Sequence, residues 1–367
     1  MHIYKTNGTW SFRIDAGTNP KTGKRKQISR HGFARKKDAE AAATKMRRDY
    51  ATHTLVEPSD MTFKEFAEEW LLLYSPNVKV STVRVRKHEL GLLYQYFEKI
   101  PVQDITSRQY QKMLASLQAS GFASNTISGV HGTARMVFKK AREFKLIHDD
   151  PTEFAKPPRR PSRSIDAQTE VPRYMEKDEL ARFLQCTREN GLLGDYAMFT
   201  LLAYTGMRVG ELGALIWDDI DADARTVNIS KTLYCPTNRA IEYTLLSPKT
   251  PHSYRVLDID QIVIDALIKY RHEQNLEKMR HGIEWHNDHD FVFTAVNYPG
   301  YPKEQKSIQL RIDRIQKIIQ LPLHITPHVF RHTHTSLLAE AGVPLHEIMD
   351  RLGHADDNTT RNIVTVK

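Results

Sequence analysis

Thr205-Gly206-Met207-Arg208-Val209-Gly210-Glu211-Leu212 closes an apolar helix on a Thr-Gly turn and sets Arg208 three residues ahead of Glu211. An arginine on so apolar a stretch requires an anionic partner, because its charge is otherwise unpaired and poorly solvated. Two readings fit. Glu211 is the partner in a purely structural ion pair, or it orients a guanidinium whose free edge grips a phosphate through two parallel hydrogen bonds. Further along, Thr326-Pro327 supplies an N-cap and a first-turn proline that start another helix. His328-Val329-Phe330-Arg331 follows, and the three-residue spacing puts His328 and Arg331 on one face of that first turn. Free N–H groups and the helix dipole favour an anion there, which makes a second phosphate clamp. A metal is the rival, since His324, His328 and His332 are spaced by four. That face begins before the cap, no His-Glu-x-x-His triple exists and no cysteine or carboxylate pair is nearby, so no metal is expected.

Two further residues complete the set. Lys249 lies in Ser247-Pro248-Lys249-Thr250-Pro251, which reads as a tight turn between two strands. It is either a solvated turn lysine or a hairpin tip that reaches into a minor groove and protonates a leaving sugar oxygen. His354, in Leu352-Gly353-His354, follows a short helix and a glycine stop. It is either a backbone-bonded histidine or a donor to a phosphate.

Working outward, the 367 residues suffice for two or three domains, each with its own core. With 40% hydrophobic and 26% charged residues the composition is that of a soluble globular chain. No apolar run approaches the roughly 20 residues of a membrane helix, and the N-terminus lacks a signal-like apolar stretch. Cys186 and Cys235 form no paired spacing, so a reducing cytoplasm is the expected compartment. The net charge of +9 is uneven: +8 over residues 1–57, +4 over 58–172 and −3 over 173–367. A basic head on a nearly neutral body fits a polyanion-binding module, or simply a solvated basic surface.

The head reads as strands at Trp10–Ile14 and Arg25–Arg30 around turn-forming Asn19–Lys24, then a helix over Lys36–Tyr50. Arg13, Lys24, Arg25 and Lys26 on or beside this ribbon suit entry into a major groove, with Trp10, Arg13 and Lys26 as guesses for base reading. A second unit begins near Met61. Thr62 and Glu65 form a capping box ahead of Phe63, Phe66, Trp70 and Leu71. Ser81-Thr82 starts a helix with apolar Val85, Leu90, Leu93 and Tyr94. Thr106 caps a third carrying Tyr110, Met113 and Leu114, and Ser124 opens a fourth that runs through Phe144 to a stop at Asp149-Asp150-Pro151. Arg84, Arg86, Lys87, Lys139, Lys140 and Arg142 on polar faces fit DNA binding, and equally an ordinary helical domain. Residues 156–172 carry four prolines and three arginines, including Arg159 and Arg160, and read as an extended basic linker. Beyond it, helices are expected at Lys177–Glu189, Asp195–Tyr204, near Arg208, and at Asp260–Met279, Ile308–Ile319, Pro327–Ala341 and Leu345–Leu352. Strands are expected at Thr226–Ser230, Tyr243–Leu246 and Tyr254–Ile259.

Arg208 with Glu211, Lys249, His328 with Arg331, and Leu352-Gly353-His354 occur in the order and spacing of the tyrosine recombinase family, and the chain resembles the phage and conjugative-transposon integrases of that family over its whole length. The resemblance implies a multi-domain, mainly α protein with small β parts. Its arm-site DNA-binding domain (1–57) is a three-stranded sheet on one helix, followed by a helical-bundle core-binding domain (58–155), the linker and a mixed α+β catalytic domain (173–367). It implies two-step phosphoryl transfer on double-stranded DNA through a 3′-phosphotyrosyl intermediate, with no ATP, metal or other cofactor. Arg208 and Arg331 would neutralise the nonbridging oxygens, His354 would hydrogen-bond the same phosphate, Lys249 would be the general acid and His328 would assist proton transfer from the nucleophile. It also implies a homotetramer on paired core and arm sites, accessory DNA-bending and directionality factors, and a place on the bacterial nucleoid. A type IB topoisomerase shares this chemistry; the basic head argues for an integrase.

The nucleophilic tyrosine is expected at or next to Val364, and the sequence reads Asn362-Ile363-Val364-Thr365-Val366 there. Either the protein lacks its nucleophile, or residues including the tyrosine are missing between Ile363 and Val364. No other tyrosine substitutes; Tyr204 is expected to pack. The alternative function is a catalytically inactive DNA-binding regulator that keeps the recombinase fold.

Overall fold

The computed structural model describes residues 2–6, 8–18, 25–51, 60–158, 174–248 and 251–353, and the chain divides into two compact units, 1–163 and 164–367. In the first unit, strands β1 (His2–Thr6), β2 (Thr9–Thr18) and β3 (Arg25–Phe33) form an antiparallel sheet in that order. The period-2 alternation works as a strand requires. Phe12 and Ile14 point inward onto Ala39 and Ala43 of helix α1 (Lys36–Ala51), while Arg13 and Asp15 face solvent. Alanines on that helix let it lie close to the sheet. Trp10 is half-buried against the same core, with Lys5 and Lys36 over its ring.

Four helices make the next core: α2 (Phe63–Tyr74), α3 (Val80–Phe97), α4 (Ser107–Ala119) and α5 (Ser124–Glu143). Phe63, Phe66 and Trp70 meet Leu90, Leu93, Phe97, Tyr110, Met113 and Phe138 in one buried cluster. Thr62 and Thr106 both complete capping boxes, with Glu65 and Gln109. Three expectations need correction. Helix α3 begins at Val80 with an extended Lys79 as N-cap, so Ser81 and Thr82 sit in its first turn. Val85 is 51% exposed, since it lies ~140° around the helix from Leu90. Helix α5 stops at Glu143, well before Asp149, because Lys145 turns left-handed (φ 59) and the Leu146 N–H returns to the Ala141 carbonyl at 2.9 Å.

The second unit holds α6 (Lys177–Asn190), α7 (Asp195–Thr205), α8 (Val209–Gly213), α9 (Gln261–His281), α10 (Gln305–Ile319), α11 (Pro327–Glu340) and α12 (Leu345–Leu352). Its strands are β4 (Ile220–Asp221), β5 (Thr226–Ile229), β6 (Thr232–Tyr234), β7 (Thr244–Leu246) and β8 (Arg255–Asp258). Helix α7 is apolar all round and buried, and it packs against α6, α9 and α11. Phe183, Phe199 and Phe330 form an aromatic knot there, with Phe199 and Phe330 stacked at 5.8 Å. Short strands β4 and β6 carry no signal long enough to read from sequence, and they matter. Strand β7 pairs with β6 whereas β8 pairs with β5, in separate sheets. The two strands that flank Lys249 therefore do not pair with each other as the strands of a hairpin would, and Lys249 itself lies outside the described residues. Among the described residues, no helix is long and apolar enough to cross a membrane.

Candidate active site

Helix α7 ends on Gly206, whose φ of 61 is left-handed. A side chain there would be strained and would also meet the His334 ring at 2.8 Å and Leu352 at 2.9 Å, so only glycine lets the three segments close up. The turn delivers Arg208 in extended conformation as the N-cap of α8. Glu211 then accepts from Arg208 twice, from its backbone N–H and its Nη1, both at 2.9 Å. Glu211 is 3% exposed.

Helix α11 brings the second arginine. Thr326 caps it and Pro327 opens it, while buried Phe330 fixes its rotation. That rotation drives Arg331 inward until it is 3% exposed. Its Nη1 donates to the Gly206 carbonyl at 2.8 Å and its Nη2 to the Leu352 carbonyl at 2.7 Å. Arg331, which the sequence reading expects to clamp a phosphate, is thus anchored through the backbone on both sides. Burial, then the neighbouring Arg208 charge, pushes the Arg331 guanidinium down to about 9. His328 remains accessible on the same turn, and partial desolvation followed by the Arg331 and Arg208 charges lowers its pKa. The imidazole is accordingly held neutral near pH 7. The His328 and His332 rings lie 5.6 Å apart, and no group of three or more His, Cys, Asp or Glu among the described residues could hold a metal ion.

Three residues that sequence reasoning missed bind these parts together. Arg255 on β8 donates its Nη2 to Glu211 Oε2 at 2.8 Å, its Nη1 to Glu211 Oε1 at 3.3 Å, and its Nε to the Arg351 carbonyl at 2.8 Å. The available signal was its alternation with buried Leu257, which puts an arginine on the inner face of a strand. Arg351 in turn donates to the carbonyls of Tyr204 and Asp258, each at 3.0 Å, and its Nε to His334 Nε2 at 3.1 Å. His334 bonds the Ala203 carbonyl through Nδ1 at 2.9 Å, which assigns the Nδ1–H tautomer. Burial, and then Arg351, lowers His334 to about 4.

Lys249, His354, Val364, Lys24, Arg159 and Arg160 lie outside the described residues, and Arg25 and Lys26 are described only as parts of β3. Arg84, Lys87 and Lys139 are exposed on α3 and α5. Arg86 is not free on a polar face: its Nη1 holds Glu89 at 2.6 Å and Thr133 at 2.8 Å, because buried Glu89 needs a counter-charge. Arg13 is exposed and donates to Ser29 at 3.2 Å.

Around the Gly206 turn, then, Arg208, Arg255 and Arg331 converge with Glu211 as the acidic group that two of them already use. Residues 173–366 match the phage integrase family over more than half of the chain. The protein belongs to the phage integrase family. An arm DNA-binding domain matches residues 2–49 and a phage integrase N-terminal SAM-like domain matches 62–118. Among relatives within or near this family, the prophage ps2 probable integrase of Lactococcus lactis subsp. lactis (strain IL1403) is 27% identical over 83% of this chain and 79% of its own. The ICEBs1 integrase of Bacillus subtilis (strain 168) is 23% identical over 97% and 93%. In structure, the Tn1549 transposon integrase in complex with transposon right end DNA gives a TM-score of 0.68 at 21% identity, over 84% of this chain and 96% of that one. A lambda integrase from a tetramer bound to a Holliday junction gives 0.57 at 16% identity, over 97% and 96%. These likenesses show the integrase fold, mostly helical with small antiparallel sheets.

Proposed function

We propose that this integrase is a site-specific DNA recombinase of a mobile element, which cleaves and rejoins DNA through a 3′-phosphotyrosyl intermediate. The observation that carries the reading is the net positive charge at the Gly206 turn, where among the described residues three arginines meet one buried carboxylate. Positive charge concentrated away from water is costly unless a guest offsets it, and a scissile phosphate does so. Arg208 and Arg331 neutralise the nonbridging oxygens as the phosphorus becomes pentavalent. His328, neutral near pH 7, accepts the proton of the attacking tyrosine. Lys249 protonates the departing 5′ oxygen, and His354 donates to the same phosphate. The second step reverses the first with a 5′-hydroxyl from a partner strand, so phosphate bond energy is conserved without ATP.

The same reading assigns arm-site binding to residues 1–57, core-site binding to 58–155 and catalysis to 173–367, joined by a linker at 156–172. Exposed Arg13, Arg84, Lys87 and Lys139, together with Lys24, Arg25, Lys26, Arg159 and Arg160, carry phosphate contacts. The partners are double-stranded core and arm sites, three further copies of the chain in a tetramer, and DNA-bending and directionality factors. The place of action is the cytoplasm, at the bacterial nucleoid.

A second reading, a DNA-binding regulator that cannot cleave, is favoured by one observation: Ile363 and Val364 stand where the nucleophilic tyrosine is expected. Intact mass and a nicked suicide substrate separate the two. The substrate is offered to the chain as it stands and to a form with tyrosine inserted after Ile363. A denaturation-resistant protein–DNA adduct in the second form alone supports the recombinase fold and site. Its absence in both refutes the cleavage reading.

A further inference from the structure

We propose that Arg255 is a positioning residue of the reaction, the strut that holds the two phosphate-binding halves of the site in one register. This rests on the recombinase reading and goes beyond it. Glu211 belongs to the Arg208 turn, and Arg255 meets both of its carboxylate oxygens. The third donor on the same guanidinium, Nε, points the other way to the Arg351 carbonyl in the last turn of α12, one turn that Arg331 also grips through Leu352. A planar guanidinium with fixed donors is suited to this, because moving either end tilts the other. Nη1 additionally bonds the Ser253 carbonyl at 3.1 Å. One side chain therefore ties Ser253, the Arg208 turn and the last turn of α12.

The electrostatics agree with the geometry. Burial alone raises the pKa of Glu211; hydrogen bonds and charge from Arg255, then from Arg208, outweigh it and keep the carboxyl below its usual range. The Nε, Nη1 and Nη2 of Arg255 are all engaged, with Arg351, Ser253 and Glu211, so its part is assigned to holding those groups and not to gripping a phosphate. Its effect passes through Glu211 to Arg208. Lysine at this position would keep the charge and lose the two-ended grip.

Arg255→Lys and Arg255→Gln test the proposal by two measurements on the full chain. The first is amide hydrogen exchange on the chain as it stands. Peptides spanning 206–213 and 345–353 are expected to exchange faster together in both variants, because both rest on the one guanidinium. Faster exchange confined to β8 overturns the proposal, whatever the catalytic outcome. The second uses the form with tyrosine inserted after Ile363 and the suicide substrate. Expected is a cleavage rate lower by about 10²-fold with DNA affinity unchanged, and a steeper loss of rate on the acid side as Glu211 protonates more readily. Full rescue of the rate by lysine, or rates within a few-fold of the parent in both variants, overturns it. If the parent form gives no adduct, the recombinase reading fails while the exchange result still decides whether Arg255 couples the two halves.

Discussion

At the residue scale, the proposed chemistry rests on a buried arginine, Arg331, and a partly exposed one, Arg208, set around the same glycine turn. Replacing Arg208 or Arg331 by alanine in the tyrosine-bearing form is expected to abolish adduct formation, by about 10²-fold or more, with DNA affinity largely kept. Filter binding beside single-turnover cleavage checks this, and affinity falling as steeply as rate would count against a catalytic role. His334 gives a pH prediction. Its folded pKa of about 4 lies below the ordinary 6.5, so the unfolded chain binds the proton first. Stability is complete above about pH 6.5 and declines as the pH falls toward 4, by up to about 3 kcal/mol. Urea melts across that range should show this slope, and His334→Gln should flatten it; an unaltered slope rejects the assignment. Glu211 acts in a lower window, its stabilisation being lost only as pH drops through its depressed pKa. The arginines and histidine that begin helices were legible in the sequence, because caps and turns announce them. Arg351 and His334 were not, since their partners are each other and carbonyls brought near by tertiary packing alone, and for Arg255 the strand alternation gave its inward face but not its partners.

At the scale of the element, helix starts were more readable than ends or strand partners. Thr62, Thr106 and Thr326 each cap the helix that their side chains announced, and Asp260, expected only as the first residue of its helix, is the N-cap. The end of α5 was misread because a left-handed lysine does the work usually given to glycine or a proline stop. The pairing of β7 and β8 was misread because β4 and β6, of two and three residues, are too short to show a period. Helix α11 is the element with most to lose. Thr326→Ala removes the bond to the Val329 N–H and is expected to cost about 1 kcal/mol, with adduct formation falling more than stability because His328 and Arg331 sit in that first turn. Thermal melts and cleavage rates on one preparation would show it; equal losses would mean that the cap serves stability only.

At the scale of the whole molecule, the three hydrophobic cores among the described residues correspond to the three tasks proposed, and the charge is divided unequally along the chain. Removing residues 1–57 takes away a net +8 and is expected to flatten the dependence of arm-site affinity on salt, the logarithmic slope falling by roughly 0.9 for each phosphate that the head neutralises. Titrations at several salt concentrations measure it, and an unchanged slope would argue against the head as a DNA module. Module order was open to sequence reading because each core has its own periodicity, whereas the arrangement of backbone carbonyls around the arginines was not. Those carbonyls have a last consequence. Arg331 is held by the oxygens of Gly206 and Leu352, which every residue type possesses. Side-chain substitution along α12 can leave that grip intact as long as the backbone keeps its path. On the α12 side the grip on Arg331 thus depends on the trace of the chain more than on its letters, whereas on the other side the letter matters, because only glycine fits at 206.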